Sequence, residues 1–172
     1  MPIEQRFISL WLAGLVLFGG VIWLSLPLAI EAVPGGIIDH QAAGSAAEVN
    51  RIQQAWARDD LTGNAQLAML GDIAFIVVYG MGAWFGGLTF MQDARPRLKR
   101  LGWLLAGAAA LFLASDLIET LAQIVQLMGD RGSDGLAKIA AIAQPIKMAA
   151  FLVTLVGVVA GLAVRRFSPP IG

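Results

Sequence analysis

The chain has 172 residues, of which 58% are hydrophobic and 14% are charged. This composition is far more apolar than that of a soluble protein of this length and predicts an integral membrane protein. Twelve basic and twelve acidic side chains leave no net charge, which disfavours nucleic-acid binding. Cysteine is absent, so disulfides, thiolate metal sites and cysteine nucleophiles are excluded, and a metal would depend on oxygen ligands and His40.

Four apolar stretches are long enough to cross a bilayer core, which takes about 20 residues of helix. The first is too long for the roughly 7 to 15 apolar residues of a signal peptide, and no cleavage site of the A-x-A kind follows it. The chain is therefore expected to be one all-α membrane domain, residues 1–172, built as a four-helix transmembrane bundle. The predicted spans are residues 7–33, 67–91, 98–128 and 137–164.

Basic residues predict the orientation of these spans. The segment 95–100 reads RPRLKR, the C-terminal tail begins with Arg165 and Arg166, and Arg6 precedes the first span. By the positive-inside rule all three belong on the cytoplasmic side. Both termini are then cytoplasmic, and the long loop 34–66 and the turn 129–135 lie outside.

The outer loop contains a helix signal. Residues 45–48 read Ser-Ala-Ala-Glu, which has the spacing of a capping box, and Val49, Ile52 and Trp56 then recur at i, i+3 and i+7. We expect an amphipathic helix over about 45–58, lying on the outer membrane face or over the mouth of the bundle, with Trp56 at the interface. A surface helix that only completes a long connection is the alternative. His40 and Trp56 are the possible lid residues, although a lone loop histidine is more often solvated.

Small residues predict where the helices approach closely. Gly82 and Gly86 in the second span, and Gly157 and Gly161 in the fourth, have G-x-x-x-G spacing. Both pairs lie in the predicted cytoplasmic halves, which we therefore expect to be tightly packed. In a multispan chain such motifs more often pack helices of one molecule, so the oligomeric state stays open.

Ionisable residues inside spans are costly and often mark a functional site. This chain has four, Asp72, Asp116, Glu119 and Lys147, and all fall in the predicted outer half of the membrane. On the third span Asp116, Glu119, Thr120 and Gln123 recur at i, i+3, i+4 and i+7 and form one polar stripe. Asp72 and Tyr79 share a face of the second span, and Gln144 and Lys147 share a face of the fourth. The resulting candidate ligand- or ion-binding residues are Asp72, Tyr79, Asp116, Glu119, Thr120, Gln123, Gln144 and Lys147.

Three carboxylates and one ammonium would leave two uncompensated negative charges if every group were ionised. We therefore expect a shared or transferable proton on the neighbouring Asp116 and Glu119, with Lys147 paired to whichever carboxylate is ionised. The charge of Lys147 also disfavours a divalent metal. No phosphate-binding loop, zinc signature or nucleophile elbow is present, so no cofactor is predicted.

Three functions remain open for this cluster. It could be a salt-bridge network that only fixes helix packing in a structural or assembly subunit. It could be an outward-facing site that binds or passes a proton, a cation or a small polar ligand. An enzyme is the third, in which Tyr79 or a carboxylate would act on a lipid headgroup, with His40 arriving from the loop.

A wider pattern resembles a known group of proteins. It comprises Ala43-Gly44, Glu48, Ile52 and Ala55-Trp56 in the loop, Gly71-Asp72-x-x-Phe75-Ile76-x-x-Tyr79 in the second span, Ser115-Asp116-Leu117-Ile118-Glu119 in the third, and Lys147. The pattern resembles a group of small bacterial four-span membrane proteins whose activity is uncharacterised. In that group the third-span motif usually reads D-x-x-E-N, and here Thr120 takes the Asn position. The resemblance implies a bacterial cytoplasmic membrane and names no activity.

Overall fold

The computed structural model describes residues 2–167, and within that range it is helical without any strand. Four helices are long and apolar enough to cross a membrane, which confirms the all-α class and the number of predicted spans. The two ends of the chain, Met1 and residues 168–172, lie outside the described residues. The helices are α1 (Ile3–Ser25), α2 (Ile37–Ala42), α3 (Ala46–Arg58), α4 (Thr62–Met91), α5 (Pro96–Met128) and α6 (Asp134–Phe167).

The first long helix ends earlier than its hydrophobicity predicts. A single 3₁₀ turn, Leu26–Leu28, follows α1, and the backbones of Ile30 and Val33 then pair with each other instead of extending the helix. Pro27 lies in this turn, where it cannot donate the backbone hydrogen bond that a continued helix needs. The predicted boundary at residue 33 is therefore wrong, because it rests on hydrophobicity, which does not register this irregular turn.

The four long helices pack in sequence order: α1 runs along α4, α4 along α5, and α5 along α6. The short α2 packs chiefly against α6. Buried apolar residues form two clusters. One surrounds Trp56 of α3 at the end of the bundle that carries α2 and α3, which we call the capped end. The other fills the middle and opposite half of the bundle around Tyr79.

Helix α3 is fixed to both sides of the capped end. Ser45 Oγ accepts the amide of Glu48 and so caps its first turn. The amide of Ala46 donates to Asp134 Oδ1 at 2.7 Å, which ties α3 to the start of α6. On the other side, Trp56 Nε1 donates to the carbonyl of Leu28 at 3.0 Å. The helix therefore joins the end of α1 to the α5–α6 turn.

The glycine motifs lie at close helix contacts inside one molecule. A Cβ atom on Gly82 would lie 2.5 Å from the backbone nitrogen of Trp11, and one on Gly86 would lie 2.7 Å from the ring of Phe7. In α6, a Cβ on Gly161 would overlap the ring of Phe90. These contacts close the half of the bundle away from the capped end.

Gly82→Ala should lower the free energy of unfolding by about 1 to 3 kcal/mol, because the new methyl group meets the backbone of α1. Gly107→Ala is the matched control, since Gly107 lies inside α5 and a methyl group added there would have no neighbour within 4 Å. We expect the control to be neutral or stabilising by up to about 1 kcal/mol. Unfolding in mixed micelles measures both variants, and equal losses would contradict the close α1–α4 contact.

Candidate functional site

An ion network joins α5 and α6 below the capped end. Lys147 Nζ lies 2.8 Å from Asp116 Oδ1 and 2.9 Å from Glu119 Oε1. All three side chains are buried, and Glu119 has no exposed surface. Asp116 and Glu119 stand one helical turn apart on α5, so both reach the same ammonium group. Two carboxylates therefore share one cation in a low-dielectric setting.

Polar side chains extend this network on both sides. Thr120 Oγ1 donates to Asp72 Oδ2 at 3.1 Å, which brings α4 into the cluster. Gln123 Nε2 donates to Glu119 Oε1 at 3.2 Å. Thr120 and Gln123 are buried, whereas Asp72 is only half-buried. The structure thus brings together six of the residues singled out from the sequence: Asp72, Asp116, Glu119, Thr120, Gln123 and Lys147.

A cavity of about 290 Å³ lies beside the network. Its polar lining consists of Gln41 from α2 and three members of the network, Asp72, Asp116 and Lys147. The exposed part of Asp72 is therefore explained by the cavity. The remaining lining is apolar and comes from α1, α2, α4, α5 and α6.

His40 and Trp56, the possible lid residues, are both buried within the capped end. The Trp56 ring has no exposed surface and lies against the imidazole of His40, with 5.2 Å between ring centroids. The expectations that Trp56 lies at the membrane interface and that His40 is solvated are therefore wrong. Trp56 can be buried because its indole N–H donates to the Leu28 carbonyl inside the protein.

His40, on α2, lies between Gln53 of α3 and Gln123 of α5. Its Nε2 atom is 3.2 Å from Gln53 Nε2, so the ring nitrogen accepts a hydrogen bond from this amide. Burial lowers the pKa of His40 to about 4, and Gln123 partly opposes the shift through its side chain. His40 is therefore a neutral imidazole at neutral pH.

Two other residues from the sequence prediction stand apart from the ion network. Tyr79 lies in an aromatic layer, and its hydroxyl pairs with Thr154 Oγ1 at 2.9 Å. The shared face of Asp72 and Tyr79 therefore does not bring the hydroxyl to the carboxylates, because the two residues are nearly two turns apart on α4. Gln144 is half-exposed and makes no side-chain hydrogen bond to a described residue.

Three buried polar atoms among the described residues lack a hydrogen-bond partner in this region: Glu119 Oε2, His40 Nδ1 and Gln53 Oε1. Such atoms are uncommon in protein interiors because their desolvation is costly. The polar side chains therefore continue from Glu119 through Gln123 to His40 and Gln53.

The sequence did not identify Gln53, Gln41 or the aromatic side of the cavity. Gln53 follows Ile52 on α3 and resembles a solvated position until the helix is placed over the bundle. Gln41 belongs to α2, whose six residues carry no clear periodic signal. The signal that could have located α2 is Asp39 in its first turn, whose carboxylate accepts the amide of Gly35 at 2.8 Å.

The carboxylates of the network can bind a positively charged or proton-donating group, since carboxylate oxygens accept hydrogen bonds. Among residues 2–167, no group of three or more histidine, aspartate or glutamate side chains is arranged to hold a metal ion. Comparisons with protein-family models, with curated proteins and with solved structures give no match. The geometry of the site is therefore the basis for the function proposed below.

The contribution of His40 to folding stability should fall as the pH is lowered from about 6.5 to about 4. In that window unfolded chains bind a proton at His40 and folded chains do not, so acid favours unfolding. The expected loss is on the order of 3 kcal/mol for a shift of this size. Thermal unfolding at a series of pH values measures it, with His40→Gln as the comparison. An identical pH dependence in His40→Gln would show that His40 is not the titrating group.

Proposed function

We propose that the chain is a multi-pass membrane protein whose cavity binds a ligand with a cationic or proton-donating group at Asp72 and Asp116. The observation that carries this proposal is that the ion network forms a wall of the cavity. Protein interiors are close-packed, and a network that only fixed helix packing would need no such space beside it. A polar cluster next to a cavity is the usual form of a ligand site.

The charges support a cationic ligand group. Lys147 already pairs with both Asp116 and Glu119, and Asp72 lies outside these ion pairs. With all four groups ionised, the cluster carries two more negative than positive charges. A bound cation or a bound proton lowers that imbalance in the low-dielectric interior. In this proposal Asp72 and Asp116 contact the ligand, and Lys147 holds Asp116 in place.

We place the capped end on the outer side of a bacterial cytoplasmic membrane, with both termini inside. The basic segment 95–100 begins in the turn between α4 and α5 and continues into the start of α5, at the opposite end of the bundle, and Arg165 and Arg166 lie at the same end near the close of α6. The positive-inside rule puts that end in the cytoplasm. The cavity then faces outward, and the amphipathic helix α3 covers the outer mouth of the bundle.

Binding fits the packing better than passage through the protein. On the inner side of the cavity, the aromatic rings of Phe75, Phe112 and Phe151 pack against one another, with centroids 5.8 to 6.1 Å apart. Below them the glycine contacts bring the helices together. A transport pathway would need an opening through both layers.

A structural or assembly subunit is the second candidate. It is favoured by the direct pairing of Lys147 with two carboxylates and by the hydrogen bonds from Thr120 and Gln123. Such a network can hold α4, α5 and α6 in one register. This function predicts a site that neither water nor a ligand enters.

Cysteine labelling separates the two candidates, since the chain has no native cysteine. Met148 lines the cavity, so Met148→Cys should react quickly with a methanethiosulfonate reagent that bears a trimethylammonium group. The negative site should make this reaction about tenfold faster than the one with the sulfonate analogue. Adding Asp72→Asn should reduce the ratio. Reaction rates in nanodiscs provide the measurement.

Ala149→Cys is the matched control, because Ala149 is the next residue of α6, is exposed, and does not line the cavity. It should react without the preference for the cationic reagent, since its thiol does not face the carboxylates. The same lack of preference in Met148→Cys of the folded protein would contradict the binding proposal and favour the structural subunit.

A further inference from the structure

The cavity beside the ion network has a large apolar side that a small polar ligand would leave unused. Nine of its thirteen lining residues are apolar. Four of these are phenylalanines, Phe18, Phe75, Phe112 and Phe151, which contact one another and form a continuous aromatic wall. Because contact with this wall removes apolar surface from water, the cavity favours a ligand with a hydrocarbon part.

The rim indicates where such a ligand would enter. Ile22 of α1, Ile38 of α2 and Met148 of α6 line the cavity, yet 47%, 60% and 52% of their surfaces are exposed. These exposed faces belong to membrane-crossing helices and to the short helix above them. α1 packs along α4, and α6 packs along α5, whereas α1 and α6 have few close backbone contacts with each other, and we take the gap between them as the entrance. The Phe18–Phe151 contact closes this gap on the side away from the capped end.

The polar end of the cavity determines the charge of the ligand's head. Asp72 accepts one hydrogen bond, from Thr120, among the described residues, so its carboxylate has capacity for another donor. Lys147 is committed to two carboxylates, which leaves no spare positive charge for an anionic head. The unpartnered Oε2 atom of the fully buried Glu119 adds further acceptor capacity behind them.

We infer that the occupant is a single-chain amphiphile with an ammonium head, which enters from the lipid between α1 and α6 and places its head at Asp72 and its chain along the phenylalanine wall. This inference rests on the proposed function and adds the chemical class of the ligand. The cavity volume of about 290 Å³ is just below the range of roughly 300 to 1,000 Å³ for small-molecule sites. It therefore fits one head and part of one chain.

Photolabelling tests the inference on the full chain in nanodiscs. The probes are dodecylamine, dodecanol and dodecanoic acid, each with a diazirine on the chain close to the head. Mass spectrometry measures adducts on the cavity-lining residues Met148 and Phe151 relative to adducts on Val156, which faces outward on the same helix. We expect the amine to label the cavity about tenfold more than either analogue, as for one charge interaction of roughly 1.4 kcal/mol.

Two variants identify the charge that is responsible for the preference for the amine. Asp72→Asn keeps an acceptor for the Thr120 hydroxyl and should bring the amine down to the level of the alcohol. Asp60→Asn removes the same charge from an exposed turn with positive φ, a conformation that asparagine tolerates, and should leave labelling unchanged. Equal labelling by amine and alcohol in the native protein would overturn the inference.

A head-only probe separates this inference from the proposed function. Methylammonium chloride is added to Met148→Cys before the cationic thiol reagent. If methylammonium slows the reaction while the amine and alcohol label equally, the cation site stands and the amphiphile is wrong. If methylammonium gives no protection and the amine shows no preference, both proposals fail.

Discussion

The pairing of Lys147 with Asp116 and Glu119 is the interaction on which the arrangement of the bundle depends. A charge inside a membrane-crossing helix is costly, and it is tolerated when a partner and hydrogen bonds compensate it. Lys147 lies two residues after Pro145, which cannot donate the backbone hydrogen bond to the carbonyl four residues earlier. This leaves the carbonyl of Ala141 without its helical partner, six residues before Lys147.

The network compensates its own charges incompletely, which is the basis for proposing a ligand site and not a packing role alone. One ammonium faces two carboxylates directly, and Asp72 completes a cluster in which acids outnumber the base. A network selected only for stability has no need of this third carboxylate. Sites that bind ligands commonly retain groups that are suboptimal for stability, because the ligand completes their interactions. The cavity beside Asp72 is the place where such completion can occur.

The sequence predicted four helices long and apolar enough to cross a membrane and the polar stripe on α5, because both follow from residue type and helical period. It did not predict the cavity. That space depends on the end of α1 at Ser25, on the short α2, and on how far apart α1 and α6 stand, and none of these has a periodic signal. Sequence spacing also placed Tyr79 with the carboxylates, whereas its hydroxyl pairs with Thr154 in the aromatic layer. Helical period gives a shared face but not the partner that each side chain meets.

The most direct test compares the stability of two variants of the ion network without ligand. Lys147→Gln should lose about 3 to 5 kcal/mol, because it leaves two buried carboxylates without their cation. Asp72→Asn should be as stable as the native chain or more stable, because it removes a carboxylate from an over-acidic cluster and keeps the bond from Thr120. Unfolding in micelles at neutral pH measures both. A loss in Asp72→Asn as large as that in Lys147→Gln would show that Asp72 serves the fold and would contradict a site built for a cation.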